Sequence, residues 1–225
     1  MRAASLSLDD LYLGRDDRMR LGEAIHPLLQ TRGPPGTHDT ALGLNVIDSL
    51  EQGLTTRLPR FDKGVDERSP QAEWPLIDAG LEVLIFEGWC VGARPQPNRD
   101  LLEPLNALEK REDTDGAWRR YVNDALAGDY QRLFARVDLQ VLLAIPDFEW
   151  ACAWRKEQER TTRDRLTQLG RPTTHLMDDE GLDRFMQLFE RLTLHEMGEM
   201  RLRANVVIDL NIRRGGRTAP PSQLP

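Results

Sequence analysis

The chain has 225 residues, 40% of them hydrophobic, enough for one sizeable core, so a single domain of ordinary globular class is the first expectation. Its 37 Asp and Glu against 30 Lys and Arg give a net charge of −7, which argues against a nucleic-acid or membrane-surface protein. Cys90 and Cys152 stand in no CxxC or Cys/His spacing, so neither a zinc site nor a disulfide framework is expected, and a reducing cytoplasm fits the chain.

In chain order, "AASLSL" (3–8) reads as a weak strand that runs into Asp9, Asp10 and Tyr12. Residues 1–15 hold no continuous apolar run of the kind a secretory signal needs, and no stretch approaches the ~20 apolar residues of a membrane helix. "THDTALGLNVIDSLEQG" (37–53) is a helical pattern stopped by Gly53. "LEVLIFEG" (81–88) is a short, branched apolar run of the kind that forms a buried strand. "DGAWRRYVNDALAGDYQRLFARV" (115–137) is helical, followed by a second apolar strand, "VDLQVLLAIP" (137–146). "FEWACAWRKEQERTTRDRL" (148–166) and "DDEGLDRFMQLFERLTLHEMGEM" (178–200) are two further helices, and "ANVVIDL" (204–210) is a third apolar strand. The domain is expected over 1–212. Residues 213–225, ending in "GGRTAPPSQLP", are too rich in Gly, Pro and Ser to bury a core and read as a disordered tail. Strands that alternate with helices, each strand apolar rather than alternating, predict an α/β sandwich with a parallel sheet covered on both faces.

Chemistry-bearing residues gather at the expected strand ends, where open α/β sheets collect ligands. Glu87, just before Gly88, is either a carboxylate that holds a magnesium ion or its water, or an ordinary surface residue. Asp9 and Asp10 either receive a hydroxyl proton and help place the substrate, or cap the helix that starts in "DDRMRLGEAI". "HPLLQTRGPPGTHD" offers His26, Arg32, Thr37, His38 and Asp39 for a polar pocket, although a histidine in such a loop is more often structural. "LPRFDKGVDER" concentrates Arg60, Lys63 and Arg68, which suits a carboxylate or phosphate ligand and equally a solvated turn. "WRKEQERTTRDR" sets Arg155, Arg160, Arg163 and Arg165 on a helix; they could close over phosphates, while the interleaved Glu157 and Glu159 favour a plain solvated face.

The order of these blocks is more specific than any one of them. "SLDDLYL", "HPLLQTRGPPGTHD", "LPRFDKGVDER", "FEGWCVGARP", the long segment from "EPLNALEK" to "FARVDL", "WRKEQER" and "FMQLFERLTLHEMGEMRLRANVVIDL" together resemble the P-loop kinases of the plant and fungal D-glycerate 3-kinase type, from about Ser5 to Leu210. The resemblance implies a P-loop NTPase-like three-layer α/β/α sandwich and ATP-dependent, Mg²⁺-assisted phosphorylation of D-glycerate to 3-phosphoglycerate. It puts Asp9 at the position that takes the hydroxyl proton, with Asp10 and Tyr12 beside it. Glu87 falls at the Mg²⁺ position, and Arg155 and Arg160 fall in the segment that covers the phosphates. Arg32, His38, Lys63 and Arg68 are chosen for the acceptor on pocket chemistry alone. A non-catalytic binding or regulatory relative, or a kinase for another small hydroxylated acceptor such as a nucleoside, is the alternative.

The resemblance also implies a leading strand, a G-x-x-x-x-G-K-[ST] loop and a helix, and no such motif occurs in these 225 residues. The expectation is therefore that position 1 lies just upstream of the second strand, with the edges of "LEVLIFEG" and "VDLQVLLAIP" unpaired. Three accounts compete: a start further upstream, a genuine fragment, or a second chain that supplies the missing part. The first is preferred, because the remaining site residues still suit their roles.

Overall fold

The computed structural model describes residues 1–173 and 176–211, and the backbone of 216–219. The chain divides into two compact units, Met1–Pro104 with Glu109–Asp138, and Leu105–Leu108 with Leu139–Pro225. The strand pairing accounts for this, since among the described residues no strand is shared between their sheets.

In the first unit β1 (Ala3–Ser7) leads through a tight 3-10 turn, Leu8–Leu11, to α1 (Arg15–Ala24), and α2 (Thr40–Glu51) follows. Leu6, Leu8 and Leu11 are fully buried, which fixes the turn and turns Asp9 and Asp10 outward between them. The Ser7 hydroxyl accepts from the Asp9 amide and caps the turn. The N-cap of α1 is Gly14, with Asp16 and Asp17 in its first turn, so Asp9 and Asp10 do not cap that helix. Asp39 caps α2 by accepting from the Leu42 amide.

Four two-residue strands come next, too short for any apolar pattern: β2 (Thr56–Arg57), β3 (Phe61–Asp62), β4 (Glu67–Arg68) and β5 (Leu76–Ile77). β3 and β4 form an antiparallel hairpin, and β2 pairs with β5. β6 (Val83–Glu87) lies parallel to β1, with Ser7 opposite Glu87. Past Glu87, a Cβ on Gly88 would come within 2.7 Å of Leu8 Cβ, so glycine lets the two strand ends approach. α3 (Ala107–Glu112) crosses the division between the units. The single helix expected over 115–137 is α4 (Ala117–Ala125), a wide turn at Leu126–Tyr130 broken at Gly128, and α5 (Gln131–Phe134).

In the second unit β7 (Val141–Ala144) is parallel to β8 (Val206–Leu210), and α6 (Phe148–Gln168) and α7 (Asp179–Glu199) match the two helices expected there. Gly216–Ala219, expected as disordered tail, form β9, antiparallel to β8. The edge of β8 accounts for this, because backbone pairing needs no apolar side chains. The rest of the tail, 212–215 and 220–225, lies outside the described residues. Among the described residues β6 has only β1 as a strand partner, and β7 only β8. No helix among them is long and apolar enough to cross a membrane.

Candidate functional site

The carboxyl end of β1 and the β3–β4 hairpin build one polar cluster in the first unit. Asp9 is its centre: Oδ1 accepts from the Tyr12 hydroxyl at 2.8 Å and Oδ2 from Lys63 Nζ at 2.6 Å. Burial alone would raise the Asp9 carboxyl, but the Lys63 ammonium and the Tyr12 hydroxyl outweigh it and hold the group below its ordinary value. Tyr12 moves the other way. Its burial, reinforced by the Asp9 charge, pushes the phenol far above its usual range, so it acts here only as a hydrogen-bond donor.

Asp10 faces a different task. Its Oδ1 accepts from the Phe61 amide and its Oδ2 from Arg60, both at 3.1 Å, so it pins the hairpin to the turn. Arg68 donates to the Tyr12 carbonyl at 3.0 Å and to Asp39 at 3.2 Å. Arg32 lies over the Phe61 ring and pairs with Asp66 at 2.5 Å, and the buried Arg18 meets the same carboxylate at 2.8 Å. His38 stacks on Tyr12 with ring centroids 4.5 Å apart, and its Nδ1 lies 2.6 Å from the Tyr130 hydroxyl. His26 Nε2 instead meets the Glu112 carbonyl and its Nδ1 accepts from the Leu28 amide, a structural arrangement.

Asp9, Asp10, Tyr12, Arg32, His38, Lys63 and Arg68 lie in one connected network of hydrogen bonds and ring contacts. Tyr130 and Asp66 were not anticipated. Tyr130 follows the helix break at Gly128 and meets His38 across 92 residues of sequence, a contact with no local signal. Asp66 is marked by the only non-glycine positive φ among the described residues, 58°, at the hairpin bend.

No family model matches the chain. A chloroplastic D-glycerate 3-kinase of Arabidopsis thaliana is 27% identical over 172 residues, which are 72% of this chain and 35% of that protein. The uncharacterized kinase mug58 of Schizosaccharomyces pombe is 31% identical over 169 residues, 71% of this chain and 60% of that one. A solved D-glycerate 3-kinase from Cryptococcus neoformans superposes with a TM-score of 0.74 at 25% identity, covering 97% of this chain and 80% of that one. The chain is thus similar to D-glycerate 3-kinases of a plant and a fungus and to a further fungal kinase. Its fold is the α/β fold of these P-loop kinases, and it spans about a third to three fifths of the length of the two curated relatives.

Within that kinase fold Glu87 ends β6 with an exposed carboxylate that makes no hydrogen bond or ion pair to the described residues. No three ligating side chains gather anywhere among those residues. A lone carboxylate at a strand end still fits Mg²⁺, which keeps most of its waters and takes one or two carboxylates together with phosphate oxygens. Arg155 and Arg160 belong to α6 of the second unit. Arg155 pairs with the buried Glu159 at 2.5 Å and lies over the Phe185 ring, whereas the exposed Arg160 pairs with Asp179 at 3.0 Å, so of the two only Arg160 stands on a solvated, ion-paired helix face.

Proposed function

We propose that the protein is an ATP-dependent kinase that phosphorylates D-glycerate to 3-phosphoglycerate in the cytoplasm. The observation that carries the reading is the carboxylate of Asp9, ionised at neutral pH, held on one oxygen by Tyr12 and met on the other by the exposed ammonium of Lys63. The acceptor hydroxyl attacks the terminal phosphorus of ATP as its proton passes to Asp9 Oδ2, and the bond to the ADP oxygen breaks. Lys63 is more than half exposed. A substrate carboxylate would draw it away from Asp9 and leave Asp9 more basic at the moment the hydroxyl arrives. Arg68 and Arg32 keep the hairpin that carries Lys63 in place. Glu87 would hold Mg²⁺ through its waters, and the ion would neutralise charge on the phosphates. Arg155 and Arg160 of α6 are the candidates to contact phosphate, each on leaving its carboxylate partner, Glu159 or Asp179.

The test is titration of D-glycerate, uridine and pantothenate into the protein, with Mg²⁺–ATP turnover measured alongside. D-glycerate alone is expected to bind and to be phosphorylated. Asp9→Asn should lower the maximal rate by about 10²–10⁴-fold while leaving D-glycerate affinity within a few fold. D-glycerate binding without turnover would instead make this a binding protein. Near-normal turnover in the variant would remove Asp9 from the mechanism.

A further inference from the structure

Behind Asp9 a string of side chains runs into the core of the first unit. Tyr12, which donates to Asp9, is packed between the His38 ring, nearly parallel to it at 23°, and the edge of Phe61 at 5.3 Å. The backbones of Tyr12 and His38 form an antiparallel bridge, so the two rings stand side by side. The Tyr130 hydroxyl accepts from the Gly36 amide at 2.9 Å, which leaves its own proton for His38 Nδ1 at 2.6 Å. With the Tyr130 proton directed at Nδ1, a neutral His38 carries its own proton on Nε2. That atom has no partner and no solvent-exposed surface, and the residue is 6% exposed. A histidine so enclosed is badly placed to touch a ligand and well placed to hold a neighbour.

We propose that Tyr130 and His38 are positioning residues for Asp9: the Tyr130 hydroxyl fixes His38 as the neutral tautomer protonated at Nε2, and the His38 ring is the plate that keeps the Tyr12 hydroxyl on Asp9 Oδ1. One oxygen of Asp9 is thereby fixed, and the other is left to receive a proton. This assigns His38 a support role in place of the acceptor contact expected from the sequence. Burial, only slightly offset by the Asp9 charge, pushes the His38 imidazole down to about 3, so no cation forms behind the carboxylate near neutral pH. The groups that face Asp9 are Lys63, Tyr12 and His38, and those that face His38 are Asp9, Tyr12 and Tyr130. The functional meaning rests on Asp9 as the proton acceptor, whereas the test does not use turnover.

The experiment is NMR on the full chain, reading the side-chain ¹⁵N signals of His38 and the ¹³Cγ titration of Asp9. In the wild type His38 should stay neutral and Nε2-protonated from about pH 5 to 8. In Tyr130→Phe it should stay neutral, since it remains buried, but its proton should move at least in part to Nδ1. His38→Ala and Tyr12→Phe should each raise the Asp9 midpoint by about half a pH unit, as the hydrogen bond to the ionised form weakens. His38→Phe, which keeps a ring, should leave that midpoint in place. An ordinary titration of His38 in the wild type would overturn the tautomer lock. An Asp9 midpoint unmoved in His38→Ala would overturn the link to Asp9. Should that variant fail to fold, a shift in His38→Phe as large as in Tyr12→Phe would do so equally. A merely structural Tyr130 would lower the melting temperature of Tyr130→Phe and move neither signal. Failure of the wild type to phosphorylate D-glycerate would refute the kinase reading and leave these outcomes as they stand.

Discussion

In the proposed reaction Lys63 and Asp9 carry more weight than they do in the stability of the protein. At 2.6 Å the pair looks strong, yet the lysine is largely in water, and an ion pair of this kind contributes about 0–1 kcal/mol. A weak pair is what a substrate carboxylate needs if it is to displace it. The pH dependence has a definite sign. Asp9, where Lys63 and Tyr12 outweigh the effect of burial, and Asp66, where Arg18 and Arg32 do, both titrate below the ordinary 3.8. Their contribution to stability is therefore complete above about pH 3.8 and is lost as pH falls through their lower folded-state values. Lys63→Met should raise the Asp9 midpoint, measured by the same ¹³C titration, and cost little in melting temperature. An unchanged midpoint would mean that the pair does not form in solution.

The β3–β4 hairpin has only two residues per strand, and a free hairpin of that size would not persist in water. Side chains hold it instead: Asp10 at the Phe61 amide, Arg18 and Arg32 at Asp66, and Arg68 at Asp39. A second device of this kind sits before α4. The fully buried Asp113 accepts from the Trp118 and Arg119 amides at 2.8 and 3.2 Å and pairs with the Arg119 guanidinium at 2.9 Å. Asp113→Ala would leave Arg119 buried without its counter-charge and should cost about 3–5 kcal/mol in chemical denaturation. A loss under about 1 kcal/mol would mean that Arg119, which also donates to the Leu101 and Leu102 carbonyls, is satisfied by those alone. These ties explain what the sequence hid. α2, α6 and α7 were legible from their periodicity and stop signals, and β6, β7 and β8 from their apolar runs. The hairpin was not, because two-residue strands carry no pattern and its anchors lie 29 to 51 residues away. The candidate side chains could be picked out by charge and by order along the chain. The division of labour between Asp9, open to a ligand, and Asp10, spent on the backbone, needed the coordinates.

On the whole molecule two features decide behaviour in solution. The first is charge: a surplus of seven negative charges repels anions, so the anionic substrates proposed above would have to be attracted locally, by the few cations at the site rather than by the general field. The second is apolar exposure on the parallel strands, where both faces are ordinarily buried. Ile85 on β6 is 56% exposed and Leu143 on β7 is 58% exposed, each within its own unit. Such residues contribute little to folding and invite association between copies. The double variant Ile85→Thr, Leu143→Thr puts β-branched, strand-compatible side chains at both positions and should change stability by only about 0.5 kcal/mol per site. It should also scatter less light on concentration and bind less of a hydrophobic dye than the wild type. If it instead unfolds with the 2–5 kcal/mol penalty of a truncated core residue, those side chains are covered in solution by something beyond the described residues, and the strand faces are an interior rather than a surface.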